Sequence, residues 1–490
     1  MKKITFLSFF LSFIALVPGN SQTKADQEVS GENIPEELKR FLDKMEEPLE
    51  IKELPDYILS KPPKTITKRQ ALEDVEMIQY LFDNVFSGRY YWQHHGVDFP
   101  KAYADLKSWI EYFPIKEIST LEFQKRIYNA LKNINDPHTA IIGEETWEFF
   151  TRVRQYFTHL IIEKRGNKYI VIESDQPSIP VGTLYLDKEE YLRKTLSKEG
   201  VDQFLLGIMS TEKPTELSVN FSSGAFSLPL HPCKIGNIKY DRFKNIIETD
   251  TIENIPYVRS SSFWVEEEIK TLENFTEIGK ELKNAPVFIW NLLANDGGIS
   301  TYPHQFIENF NGLAQEESWL LYLHSTAIIQ AYFPKKNRWS SWPKEWLDDN
   351  TPLDSIPEYK HYHVKQIRKQ KKELIENPKK YWEIVRKKPE KKYGNYKGKV
   401  IILSNYRNGS AGNNALAASK SIPNSLIVGE QSNMTYTFAN TRQFCLKNSS
   451  IKFRLPGRLI IHPENNVDQG FLPDLWLDSE KPVEEIVKWL

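Results

Sequence analysis

"KVIILSNYRNGSAGNNALAASKSI", residues 399–422, is the stretch that decides the fold. An apolar run, Val400 to Leu403, gives way to Asn, Arg and Gly and then to an alanine-rich segment. A continuous apolar run bounded by turn residues reads as a strand buried on both faces. Alanine and leucine after it read as a helix. The order is therefore strand, tight turn, helix, and Ser410 stands at the break. Strands of a parallel sheet end at one edge, where ligand sites collect. A serine there projects its hydroxyl from the turn, and the N–H groups that follow, beginning with Ala411, face outward at a helix N-terminus. Such groups stabilise a developing oxyanion. The same residues also suit a simpler role for Ser410, that of a side-chain helix cap. The residues alone leave both open.

Two further stretches bear on the choice. "PVFIWNLLANDGGIS", residues 286–300, is a buried strand ending in Gly297 and Gly298, where backbone can approach a ligand closely. "NINDPHTAII", residues 133–142, places His138 in a short turn after a helix, with Asp136 two residues earlier. Histidine is the usual base for a serine nucleophile.

The rest of the chain falls into segments. Residues 22–66 are a polar, proline-dotted lead-in. Residues 67–150 read as a helical N-terminal domain: "TKRQALEDVEMIQYLFDNVF" opens on Thr67 and carries apolar residues at helical spacing, and "TLEFQKRIYNALKNI" repeats that pattern. Residues 151–240 form a β-rich module with hairpins at "YFTHLIIEKRGNKYIVIES" and "PTELSVNFSSGAFSLPL" and a short helix at "EEYLRKTLSK" between them. Residues 250–480 alternate strand and helix, which predicts an α/β fold with a mainly parallel sheet and flanking helices. A long tryptophan-rich helical insertion interrupts it at 303–395.

The chain has 490 residues, ample for several domains, and a net charge of −1, which gives no global pull toward nucleic acid or anionic membrane. Lys2 and Lys3 precede the apolar "ITFLSFFLSFIALVP", and small residues follow. Residues 1–21 read as a cleaved signal peptide, so the mature protein is expected without a membrane span, exported to a periplasm or beyond. An N-glycosylation pattern, Asn408-Gly-Ser, coincides with the candidate nucleophile and favours a bacterial source. Cys233 and Cys445 are either a disulfide or two buried thiols. Neither "QHHGVD" (His94, His95, Asp98) nor "HYH" (His361, His363) has a zinc-ligand spacing, so no metal and no cofactor is expected.

In order along the chain, these segments resemble the tail-specific, or C-terminal processing, serine proteases. That family shares its ClpP/crotonase-like catalytic fold with the tricorn core and with interphotoreceptor retinoid-binding protein. The residues that carry the resemblance are "NDPHT" (Asp136, His138, Thr139), "YVRSSSF" (Tyr257 to Phe263), "NLLANDGG" (Asn291 to Gly298), "NGSAGN" around Ser410, Val428-Gly429-Glu430, and "GFLPD" (Gly470 to Asp474). The resemblance implies that Ser410 is the nucleophile, that Gly297, Gly298 and Ala411 form the oxyanion hole, and that residues 151–240 are a degenerate PDZ-like module. The lysine of Ser–Lys relatives is replaced by Thr435, and Lys420 lies along the helix away from the turn. Tricorn-type relatives use Ser, His and Glu, which implies His138 as base and Asp468, or Glu464, as its orienting carboxylate. The family's Asp and Arg before the glycines are Asn291 and Leu293 here, and its glutamate after the nucleophile is Asn413. Two functions fit: a peptidase acting on peptides or unfolded proteins, or a catalytically decayed relative binding peptides or apolar ligands. The sequence leaves the oligomeric state open.

Overall fold

The computed structural model describes residues 61–240, 244–264, 269–316, 319–321, 350–356, 361, 364–365, 368, 392–433, 435–461 and 470–490. The expected signal peptide, most of the lead-in, much of the 303–395 insertion, and Asp468, Glu464 and His363 lie outside these residues. The chain divides into two compact units. One comprises the described residues within Met1–Phe150, Ser318–Lys388 and Thr437–Ile461. The other comprises those within Thr151–Glu317, Pro389–Tyr436 and His462–Leu490.

The first unit is built on helices Lys68–Asn84, Phe99–Tyr112 and Thr120–Leu131. Thr67 closes a capping box with Gln70: its hydroxyl accepts from the Gln70 N–H, and the Gln70 side chain accepts from the Thr67 N–H. Ala71, Val75, Ile78 and Leu81 form the buried stripe of that helix. Asp98, one of the residues with metal-ligand chemistry, caps the next helix instead, accepting from the Lys101 N–H at 2.9 Å. The segment expected to be helical is joined by an antiparallel sheet of Trp319–Leu321, Lys452–Ile461, Ala140–Ile142 and Thr146–Glu148, with Phe438–Cys445 on Lys452–Ile461. Asp74 ties helix to hairpin by accepting from the Ser449 and Asn448 N–H groups at 2.8 and 3.0 Å.

The second unit holds the β-rich module and the α/β sheet. The module is antiparallel throughout, in the order Gly224–Pro229, Glu216–Phe221, Leu184–Tyr185, Lys168–Glu173, Arg154–Arg165, Asp202–Ser210, Leu192–Leu196. Both expected hairpins are present. The expected helix at 189–198 is not: a single 3-10 turn, Glu189–Tyr191, leads into the strand Leu192–Leu196. That strand pairs over five residues with Asp202–Ser210, and sheet pairing outweighs a weak local helix preference.

The α/β sheet runs Ile247–Ile252, Ile255–Ser260, Val287–Asn291, Lys399–Ser404, Ser425–Gly429, Leu475–Trp476. Its first pair is a hairpin turning at Glu253 and Asn254, both at positive φ, and its remaining four pairings are parallel. Side chains alternate between two cores. Val400 and Ile402 face Phe275, Phe306, Leu416 and Ala418 of the flanking helices. Ile401 and Leu403 face Phe157, Ile235, Leu475 and Ile486. The chain is thus mixed α/β, and the expectation of a mainly parallel fold needs correction. Among the described strands, parallel pairing is confined to this one sheet, while the other three sheets are antiparallel. Elsewhere the pairs are either hairpins, whose short connections permit only antiparallel pairing, such as Glu216–Phe221 with Gly224–Pro229, or strands brought together from distant parts of the chain, such as Ala140–Ile142 with Lys452–Ile461.

Cys233 and Cys445 are buried thiols, not a disulfide. Among the described residues no helix is long and apolar enough to cross a membrane.

Candidate active site

The strand Lys399–Ser404 ends in a turn that asparagines hold in shape. Asn405 Oδ1 accepts from the Arg407 N–H at 3.2 Å and from the Ala294 N–H at 3.0 Å. The Gly409 N–H donates to Asn295 O at 2.8 Å, joining this turn to the end of the neighbouring strand Val287–Asn291. The helix Ala411–Ser419 then starts with Asn414 N–H donating to Ser410 O at 3.0 Å.

Ser410 sits at φ 50°, ψ −118° and, although it is the N-cap residue, its side chain makes no capping bond. A capping serine has β-region dihedrals and its oxygen accepts from the next turn. Ser410 does neither, so the simple capping role fails. A non-glycine residue in such a region costs about 1–3 kcal/mol and persists only where its surroundings enforce it.

The surroundings here are specific. The Ser410 N–H donates to Thr435 Oγ1 at 2.6 Å. Thr435 in turn donates its hydroxyl proton to Asn433 Oδ1, which also accepts from the Thr435 N–H at 2.9 Å. The Asn433 N–H reaches back to Asn408 O at 2.9 Å, and Asn413 Nδ2 donates to Asn433 O at 2.7 Å. A Cβ on Gly409 would lie 2.4 Å from Asn433 Nδ2 and from Thr435 Oγ1, so only glycine fits there. Asn408 is fully buried, which removes it as a glycan acceptor in the folded protein.

Gly297 and Gly298 meet this turn from the adjacent strand end. A Cβ on Gly297 (φ +104°) would fall 2.4 Å from Ser410 Cβ and 3.0 Å from its Oγ. A Cβ on Gly298 (φ +128°) would strike the Phe263 backbone at 2.2 Å. Gly298 and Phe263 form a parallel bridge in which Phe263 N–H donates to Gly297 O (2.7 Å) and Ile299 N–H to Phe263 O (3.0 Å). In a parallel bridge the residue so flanked turns its own N–H to the opposite side. The Gly297 N–H is already engaged, donating to Asn295 Oδ1 at 3.0 Å. Among the described residues no acceptor is bonded to the Gly298 or Ala411 N–H.

Asn295 is the residue the motif reading passed over. Its Nδ2 donates to Ser260 O at 2.8 Å, its Oδ1 holds Gly297, and its carbonyl holds Gly409. The signal was in the sequence, since an asparagine readily bonds the backbone two residues on. Asn291, Asn295, Asn405 and Asn433 all do so, to Leu293, Gly297, Arg407 and Thr435. Asn291, in place of the family's aspartate, also donates to Tyr257 Oη at 2.8 Å, and Leu293, in place of its arginine, is wholly buried in the core.

Glu430 and His304 are two ionisable groups of this unit whose pKa values are raised. Glu430 is buried; its carboxylate accepts from the Gln155 N–H at 3.1 Å and the Tyr406 N–H at 3.5 Å, and burial pushes its pKa up to about 7. His304 lies on the helix Thr301–Asn311. Its Nδ1 is 2.6 Å from Ser300 O and its Nε2 2.8 Å from Glu316 Oε1, two acceptors that require both ring protons. Burial lowers its pKa, while the hydrogen bond and charge of Glu316, with Ser300 O and Glu308, together raise it, and the net shift is upward.

Solved tail-specific proteases are similar to this chain. Mature CPAF complexed with lactacystin is 12% identical, with a TM-score of 0.44 over 86% of this chain and 96% of that one. The photosystem II D1 C-terminal processing protease is 12% identical, with a TM-score of 0.36 over 84% and 93%. A lipoprotein from Streptococcus agalactiae is 12% identical, with a TM-score of 0.35 over 88% and 98%. No protein-family model matches the chain. No curated protein matches it.

His138 belongs to the other unit. Its backbone N–H donates to Asp136 Oδ1 at 2.8 Å, and the Asp136 N–H donates to Phe149 O at 2.6 Å. Thr139 Oγ1 donates to the second Asp136 oxygen. The Asp136 carboxylate therefore shapes the turn, and at 3.9 Å from His138 Nδ1 it is too far to bond the ring. Burial, with the Arg454 charge nearby, pulls the His138 pKa down to about 3, so the imidazole is neutral at physiological pH. Its Nδ1 is buried and has no partner among the described residues. Arg454 donates to His138 O and Pro137 O, both at 3.2 Å, and pins this turn to the strand Lys452–Ile461.

Proposed function

We propose that this protein is a serine-type peptidase that forms an acyl-enzyme on Ser410. The observation that carries this reading is the conformation of Ser410: its backbone is forced to positive φ and its hydroxyl lies beside Gly297, released from any capping bond. Strain of this kind, enforced by a dedicated network, favours a functional residue over a decayed one. In the proposed reaction the Ser410 Oγ attacks the peptide carbonyl and its proton passes to His138. The Gly298 and Ala411 N–H groups receive the oxyanion, while Gly297 supplies clearance. The amine leaves with the proton, and water then hydrolyses the ester.

The imidazole of His138 is neutral and so has a lone pair to accept a proton, but burial and Arg454 weaken it as a base; its partnerless Nδ1 suits an orienting acceptor from elsewhere in the chain, whose charge would strengthen it. The resemblance assigns that acceptor to Asp468, or to Glu464. The substrates fitting this chemistry are peptides or unfolded proteins. The amino-terminal sequence supports action outside the cytoplasm, in a bacterial periplasm or secreted.

The test is labelling with a fluorophosphonate. Wild type is expected to be modified once, on Ser410, and Ser410→Ala not at all. Absence of labelling in folded wild type would favour the second reading, a non-catalytic protein of the same fold that binds peptides or apolar ligands.

A further inference from the structure

We infer that Thr435 is a positioning residue that holds the Ser410 backbone in its reactive conformation; the inference rests on the serine chemistry proposed above. Its hydroxyl has one proton, and that proton is donated to Asn433 Oδ1. What remains is an acceptor, and the Ser410 N–H occupies it at 2.6 Å. Thr435 therefore has no proton to give the reacting hydroxyl, and a neutral threonine hydroxyl is no base. It acts on the serine's main chain alone.

The geometry requires such a group. At φ 50° the Ser410 N–H is turned away from the helix it precedes. Without a partner this half-buried donor would be left unsatisfied, and the residue would relax toward negative φ, where serine is unstrained. That rotation would carry Oγ away from the Gly298 and Ala411 amides. The acceptor is itself fixed. Asn433 Oδ1 takes both the hydroxyl proton and the Thr435 N–H, and Asn433 is fastened to Asn408 and Asn413 on either side of the nucleophile. Gly409 leaves room for the hydroxyl to approach. The network thus closes a ring around Ser410 in which Thr435 is the only member touching its N–H.

The experiment compares full-length wild type, Thr435→Val, Thr435→Ser and Ser410→Ala for the rate of fluorophosphonate labelling, with the labelled fraction and melting temperature measured alongside. Valine keeps the shape and removes the acceptor; serine keeps the acceptor. Labelling of Thr435→Val is expected to slow about 10- to 100-fold, the effect of one half-buried donor left without its acceptor. Its pH profile should be unchanged and its labelled fraction full. Thr435→Ser should return to within about threefold of wild type. A merely structural role would lower the labelled fraction or the melting temperature and leave the rate of the folded molecules alone. If Thr435→Val does not fold, Thr435→Ala carries the same expectation. Wild-type speed in Thr435→Val would overturn the role of Thr435 and leave Ser410 as nucleophile. No labelling of wild type would overturn both.

Discussion

A Cβ placed on Gly297 would lie 2.4 Å from the Cβ of Ser410, closer than any two such atoms approach. The glycine is therefore a space left for the serine, at a φ of +104° that also disfavours a side chain. Gly297→Ala is expected to push the two strand ends apart, costing about 2–4 kcal/mol of stability from overpacking and strain. Labelling of Ser410 should fall by at least about 100-fold, because a displacement of about 1 Å is enough for that. Labelling within about threefold of wild type would show that the turn tolerates the overlap.

Asn295 bonds to Ser260, Gly297 and Gly409, and so couples three strand ends. Asn295→Ala leaves the Ser260 carbonyl and the Gly297 N–H buried and unpaired. The expected loss is about 2–5 kcal/mol, measured as a shift in denaturant midpoint. Asn295→Asp is isosteric but presents two acceptors, so it keeps Gly297 and loses Ser260. Its cost should be largest at high pH, where the buried carboxyl would have to ionise.

The pH dependence of a serine–histidine enzyme normally has an acid limb near the histidine's usual pKa. In His138 that value is lowered to about 3, first by burial and then by Arg454. Labelling is therefore expected to persist well below pH 6 in the folded protein. Stability has the opposite sensitivity. The unfolded histidine takes up a proton below about pH 6.5 and the folded one does not, so this contribution is present above 6.5 and is lost as pH falls toward 3. His138→Gln should abolish labelling and flatten this acid loss. An acid limb near pH 6.5 in wild-type labelling would contradict the buried, neutral imidazole.

Glu430 titrates in the other sense. Burial raises its pKa to about 7, so between 4.5 and 7 the folded state holds a proton that the unfolded state has lost. Its contribution is most favourable below about 4.5, weakens as pH rises to about 7, and is constant above that. Glu430→Gln cannot ionise, so wild type should lose stability relative to the variant as pH rises from about 5 to 8, the two being most alike at low pH where Glu430 is also neutral. The relative change is on the order of a few kcal/mol. Parallel curves would show that the carboxylate is ionised throughout.

The helical segment at 67–134, the two hairpins of the β-rich module and the strand–turn–helix at 399–419 were legible because each rests on local signals. These were a capping threonine, a turn between alternating strands, and a buried apolar run. The 189–198 segment was not legible, since its pairing with Asp202–Ser210 is non-local. The same distinction runs through the site. The sequence by itself determined that Ser410 follows a strand and precedes a helix, and that two glycines end a second strand. It could not decide between cap and nucleophile, because that depends on a backbone angle. The angle is set by Thr435, 25 residues further on, and by the clearance left at Gly297. Only the tertiary structure brings these residues within hydrogen-bonding and van der Waals distance, and contacts of that range carry no periodicity for a sequence to display.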